Sequence, residues 1–402
     1  MSTDTPTKSV LAGLDAARNW QEDFYRLLHQ EATGLRYSST VTATNQDGDT
    51  VPVMHACGHD LHVTCLLGAA SLLADAPAQW RGTIITLFQP AQEVGDGARG
   101  MVDDDLARVV GKADVALAQH VLPFPAGQVR CRPGPVFAAS DGMRITVYGR
   151  GGHVSMPQAA VDAVVLAAMI VIRLQTVVSR EVAPADPAVL TVASIASGTE
   201  GKVIADRAIL QLAIRTYSEQ TRSAILDAVR RIVTAECQAS GCPKEPDFEL
   251  FDRFPPTDND APTTDRVGAA FDEFFGDRAG DLALQTFSED FSDIPNALGI
   301  PYCYWGIGGI DPNTYYAAEA VGRVAQDVPV NHSPFFAPVV QPTLDTGTQA
   351  LTVAALAWLA RPSGRAVDAS AGAAQIPGRT PRGAATATGN VDDGKQSGRC
   401  GA

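Results

Sequence analysis

Three imidazoles, a thiol and a carboxylate fall within eight residues, His55-Ala56-Cys57-Gly58-His59-Asp60-Leu61-His62. Such a density of polar groups between apolar neighbours is costly unless something binds there. Thiolate and imidazole are preferred ligands of zinc and of the later first-row divalent metals. Cys57 and His59 stand two apart, a spacing that lets a turning backbone aim both at one ion. Three distant segments each offer a further donor beside a turn: Glu93 after Gln89-Pro90-Ala91-Gln92, His120 at a strand end, and His332 in Val330-Asn331-His332-Ser333-Pro334. Five donors can hold two metals, and a pair of divalent ions can polarise a carbonyl and bind the attacking water at once. Hydrolysis of an unactivated amide needs that combination. Of the remaining histidines, His29 lies on an amphipathic helical face and reads as structural, whereas His153 follows two glycines in a loop.

The elements that must position these groups are legible from periodicity. Apolar runs at 84–89 and 114–121 alternate with helical spacing at 64–75 and 97–109, which predicts a parallel sheet covered by helices. From about residue 140 the pattern becomes strand 143–149, helix 160–179, strand 188–195, strand 208–215, helix 219–238 and strand 247–251. This βαββαβ order is that of a ferredoxin-like unit. Helix 263–275, a strand at 302–306 and a closing helix at 343–360 then return to the first pattern. The division expected is 1–139 and 253–361 for one α/β domain, 140–252 for an inserted unit, and 362–402 for a disordered tail. That tail is rich in Ala, Gly, Ser, Thr and Pro without apolar periodicity, and cannot offset its chain entropy.

Composition bounds the function. With 402 residues and 45% hydrophobic content the chain can bury a sizeable core, and a net charge of -14 argues against nucleic acid as a partner. The first twenty residues lack the pattern of a signal peptide, and the seven cysteines are irregularly spaced, Cys237 and Cys242 five apart, so no disulfide framework is visible. A reducing, cytoplasmic location is expected. The longest apolar stretch, 163–178, is short for a membrane span and carries Arg173, which predicts a buried or subunit-interface helix and no membrane partner. The glycines of 94–100 are not followed by Gly-Lys-Ser/Thr, so a phosphate loop is rejected.

The segments HACGHDLHVT, FQPAQEVGDGA, GRGGHVSMPQ, SEDFS and VNHSP, in that order, resemble the amidohydrolase family of hippurate hydrolases, N-acyl-L-amino-acid amidohydrolases and auxin-conjugate hydrolases. The resemblance covers roughly residues 35–360. It implies a zinc-peptidase-like catalytic domain with an inserted lid and dimerisation domain, hence a homodimer, and a binuclear site holding manganese or zinc, with cobalt or nickel as alternatives. It assigns Cys57, His59, Glu93, His120 and His332 as metal ligands. His153 matches a histidine that reaches the substrate oxyanion, and its alternative is a loop histidine bonded to backbone. Arg215 fits the free carboxylate of an N-acyl amino acid, with a salt bridge inside the lid as its alternative. The implied reaction is hydrolysis of N-acyl amino acids or related small amide conjugates by metal-activated water. A dipeptidase or carboxypeptidase on the same scaffold differs only in substrate.

Three departures from the family pattern stand out. Gln92-Glu93 replaces Glu-Glu, whose first carboxylate is the general base. Lys202 and Ala205 stand where Asn-Val-Ile-Pro is usual. Between Leu28 and Cys57, a segment that would supply the first sheet strands is missing, which should leave sheet edges unpaired. The first and third favour a rival reading, a catalytically silent metal-binding relative.

Overall fold

The structure, a computed structural model, describes residues 5–28, 42–44, 48–52 and 56–360. The expected tail at 362–402, and His29 and His55, lie outside the described residues.

The site rests on a four-stranded sheet in the order Ala279–Asp281, Val129–Cys131, Tyr302–Ile310, Ala116–Pro125. Tyr302–Ile310 runs parallel to Ala116–Pro125 and antiparallel to Val129–Cys131, so the sheet is mixed rather than wholly parallel as the sequence pattern predicts. All nine residues of Tyr302–Ile310 are buried. Its odd residues Cys303, Trp305 and Ile307 face a core shared with the helices His59–Asp75, Ala261–Phe275 and Val340–Leu359, while Tyr304 faces a smaller core with Leu122 and Phe137. A strand covered on both sides has no polar face, which explains its continuous apolar run.

The inserted unit has a core of its own, built from residues between Met143 and Cys237. Its sheet order is Asp247–Phe254, Ala139–Tyr148, Arg207–Thr216, Ala188–Ser197, and every pairing is antiparallel. The helices Ala163–Thr176 and Glu219–Ala239 complete the βαββαβ order that periodicity predicts. Residues 163–181 are long and apolar enough to cross a membrane by length and composition. Here Leu166, Ile170 and Leu174 are buried in the unit's core, whereas Val164, Val165, Met169 and Ile172 are exposed.

Two expected elements differ. The helix predicted over 97–109 is two helices, Gly97–Asp103 and Leu106–Val110, separated by Asp105 in the left-handed region at φ 65°. Asp103, Asp104 and Asp105 sit where the helix dipole is negative, so the charge run ends the helix. The strand predicted at 84–89 joins no ladder among the described residues, and Ile85 and Phe88 are 50% and 43% exposed. Ala116–Pro125, in turn, is the outer strand of its sheet. Between Leu28 and Cys57 the described residues form the hairpin Thr42–Thr44 with Thr50–Pro52.

Hydrogen exchange tests this arrangement. The amides of 84–89 should exchange orders of magnitude faster than those of Tyr302–Ile310, because exchange follows local opening. Uniformly strong protection of both would show that 84–89 is paired by residues outside those described.

Candidate metal centre

Gly58 makes the turn that aims Cys57 and His59 the same way. Its φ is 81°, and a Cβ there would lie 2.3 Å from Val121 Cγ1, so only glycine fits between the helix start and the strand. The helix His59–Asp75 begins at once, placing His59 and His62 in its first turn. His120 comes from the middle of Ala116–Pro125, opposite Gly306. Glu93 lies in the short 3-10 turn Gln92–Val94, entered through Ala91 at φ 51°. His332 is itself left-handed at φ 69°, its N–H donating to the Ala56 carbonyl at 2.8 Å. Two non-glycine residues in that region within one site mark stored strain, of order 1–3 kcal/mol each, held by the surroundings.

All five donors anticipated from the sequence converge. The ligand atoms of Cys57, His59 and His120 lie within 4.8 Å of one another, as do those of Cys57, Glu93 and His332. Cys57 is common to both groups. Its Sγ is 3.4 Å from His120 Nε2, and Glu93 lies 3.6 Å from His59 Nε2 and 3.2 Å from His332 Nε2.

The peptide of Val121 sets the histidine tautomers. His120 Nδ1 is 2.7 Å from the Val121 carbonyl, which can only accept, so Nδ1 carries the proton and Nε2 presents a lone pair toward Cys57. Burial, with the neighbouring His59, pushes the His120 pKa down to about 3 and keeps the ring neutral. The Val121 N–H donates to His62 Nε2 at 2.9 Å, which occupies that lone pair and makes His62 an orienting group. Asn331 Nδ2 donates to the carbonyls of Val121 and Cys57 at 3.1 and 3.3 Å and reaches Cys57 Sγ at 3.7 Å. At Val121 the edge of the outer strand is therefore taken up by site side chains.

Glu289 and Asp290, of the SEDFS segment, adjoin the donors and the loop that carries Glu93. Glu289 is buried, 3.4 Å from His120 Nε2. Burial and the charges of Asp290 and Glu93 push its carboxyl up to about 8. Asp290 accepts from Gln89 Nε2 at 2.6 Å and from the Ala98 N–H at 3.0 Å, tying down the loop that carries Glu93. Gly97 closes that loop, since a Cβ there would meet the Pro90 carbonyl oxygen at 1.7 Å. Asn331 and His62 are further positioning groups, and their sequence signal is their place in the segments that carry His332 and His59. Gln92 lies beside the cluster, near Glu289, with its Oε1 buried and unpartnered among the described residues.

His153 and Arg215 stand apart from the donors. His153 is exposed on the short strand Gly152–His153, where its Nδ1 accepts from the Ser155 N–H at 3.2 Å and Nε2 carries the proton. Arg215 lies across from Ser140 in the inserted sheet, hydrogen-bonds its hydroxyl, and forms no ion pair among the described residues; burial lowers its pKa.

The donor set suits divalent cations. A thiol, two carboxylates and several imidazoles crowd together, and burial, with the charges of Glu93 and Glu289, holds the Cys57 thiol well above its ordinary pKa. Donors of these types suit divalent cations, which favour their deprotonated forms.

Residues 27–326 match the description of peptidase family M20/M25/M40. The chain belongs to that family. This M20 chain is 33% identical over 258 residues to the N-acetylcysteine deacetylase of Bacillus subtilis, covering 64% of the chain and 62% of that protein. It is 33% identical over 266 residues to the IAA-amino acid hydrolase ILR1-like 4 of Arabidopsis thaliana, covering 63% and 58%. The M20 chain thus spans about three-fifths of the length of these curated relatives. Its fold is similar to that of the Bacillus subtilis YXEP protein, a dinuclear metal-binding peptidase of the M20 family. The TM-score is 0.62 at 25% identity, over 81% of this chain and 77% of that one.

Proposed function

We propose that the protein is a binuclear metal-dependent amidohydrolase acting on N-acyl amino acids or related amide conjugates. The convergence of two donor groups on one shared thiol, Cys57, carries this reading. Cys57, His59, Glu93, His120 and His332 would hold two divalent ions, manganese or zinc. Ions so held would polarise the amide carbonyl and acidify water. The chain's own groups do the rest. Glu289 can hold a proton beside His120, Asn331 and His62 fix the ligands through Val121, and Arg215 receives the substrate carboxylate. His153, with its proton on Nε2, donates to the oxygen that becomes negative as the amide carbon turns tetrahedral.

The proposed division is 1–139 with 253–361 as the catalytic part and 140–252 as lid and dimerisation unit, in a cytoplasmic protein. Exposed Val164, Val165, Met169 and Ile172 on one helix, with Val189 and Ile195 on the outer strand Ala188–Ser197, support pairing of two copies. Light scattering after size exclusion should give a dimer at micromolar concentration. A clean monomer there would count against the pairing.

Metal analysis by mass spectrometry, after incubation with manganese or zinc, should find two ions per chain, with occupancy reduced in His120→Ala and His332→Ala. A metal-free wild type would refute the ligand assignment. On a panel of N-acyl amino acids, the loaded protein should release the amino acid. Gln92 favours a second reading, a relative that keeps the metals but not the chemistry, because a carboxamide has no accessible pKa with which to move a proton.

A further inference from the structure

The helix Glu219–Ala239 ends in a tight cap far in sequence from the metal donors. Ser240 closes the helix, Gly241 adopts φ 69°, and the Cys242 N–H bonds back to the Cys237 carbonyl at 3.0 Å. In this motif the side chains at the two ends of the long hydrogen bond touch, and that contact is ordinarily between two apolar residues. Here both are cysteines. Cys237 is 2% exposed within the inserted unit's core, and Cys242, partly buried, packs against the same core. Cys242 is near enough to Cys237 for the two thiols to influence each other's ionisation. A backbone hydrogen bond joining the two residues brings their Cα atoms near the separation a disulfide spans, about 4.4–6.8 Å.

We propose that Cys237 and Cys242 are a modification site, closing a reversible disulfide across the helix cap when the protein meets a low-molecular-weight disulfide. The Cys242 thiolate, the more accessible, attacks one sulfur of the small disulfide and expels a thiolate, leaving a mixed disulfide on Cys242. The Cys237 thiolate then attacks Cys242 Sγ and expels the second thiolate. Two protein thiols are oxidised to one disulfide, one small disulfide is reduced to two thiols, and the two protons pass to the departing thiolates. Burial raises both thiol pKa values, so thiolate is scarce and the exchange is slow at neutral pH, faster as pH rises. The backbone hydrogen bond of the cap already holds the two residues together. The spacing alone does not disclose the pair; the left-handed glycine between them does.

The sequence places both cysteines, and no other, in the tryptic peptide Ile232–Lys244. Full-length folded protein is incubated with glutathione disulfide at mildly alkaline pH, quenched with acid, alkylated and digested. The expected peptide is unalkylated and lighter by two hydrogens, and becomes doubly alkylated after dithiothreitol. In Cys242→Ser, which keeps the backbone hydrogen bond, Cys237 should stay an alkylatable thiol. A wild-type peptide that remains doubly alkylated after prolonged oxidation would overturn the proposal. So would glutathione retained on either cysteine, or a link from this peptide to another.

Discussion

Replacing Gln92 by Glu is expected to raise turnover of N-acetyl or N-benzoyl amino acids by about 10² to 10⁴, the usual worth of general-base assistance. Gln92 opens the 3-10 turn that carries Glu93, so a carboxylate there would sit beside the metal donors without rebuilding the loop. Its neighbour Glu289 already has a carboxyl pushed up to about 8 by burial and by the charges of Asp290 and Glu93. A further carboxylate in this cluster would itself be raised by its like-charged neighbours, toward the range where a base can both take and return a proton near neutral pH. The wild-type carboxamide can orient water and nothing more. Metal occupancy must be measured in both proteins. Equal and vigorous rates would show that another group, with Glu289 the nearest, is the base. Two inactive proteins with full metal sites would establish the non-catalytic reading.

The second large effect is on stability. Asp141, its side chain 1% exposed, accepts from Arg222 Nε at 2.7 Å and Nη2 at 2.8 Å, with Arg253 Nε at 3.4 Å. The Arg222 side chain is only 7% exposed and otherwise meets Glu219, on the surface. Asp141→Ala strands that guanidinium in the interior. Removing one partner of a buried pair typically costs about 3–5 kcal/mol, because the remaining charge is left uncompensated. Urea unfolding followed by circular dichroism should show the midpoint falling accordingly. A loss within about 0.5 kcal/mol, the range of an ordinary surface substitution, would mean that Glu219 or entering water replaces the carboxylate. The pair joins the strand Ala139–Tyr148, the helix Glu219–Ala239 and the end of the strand Asp247–Phe254, so its loss should loosen the inserted unit first.

Much of the fold is legible because its determinants are local. Apolar spacing of two and of 3.6 gives the βαββαβ order, and Asp162, Ser218 and Asp260 cap the three helices that follow them. The failures are equally physical. The run at 84–89 has the composition of a strand, but a strand exists only when a neighbour completes its ladder. The apolar helix Ala163–Thr176 is equally readable as a core or an interface, and the structure shows one face buried and the other exposed.

By itself the sequence determined the donor types, their order along the chain and the family motif, since residue chemistry and short spacings are carried by neighbouring positions. Only the tertiary structure decided that Cys57 belongs to two donor groups, that Val121 fixes the rings of His62 and His120, and that Glu289 and Asn331 belong to the site. It likewise decided the protonation that matters, a neutral His120 and a raised Glu289. Burial and charge crowding are sums over groups from distant parts of the chain, and no window of sequence contains them.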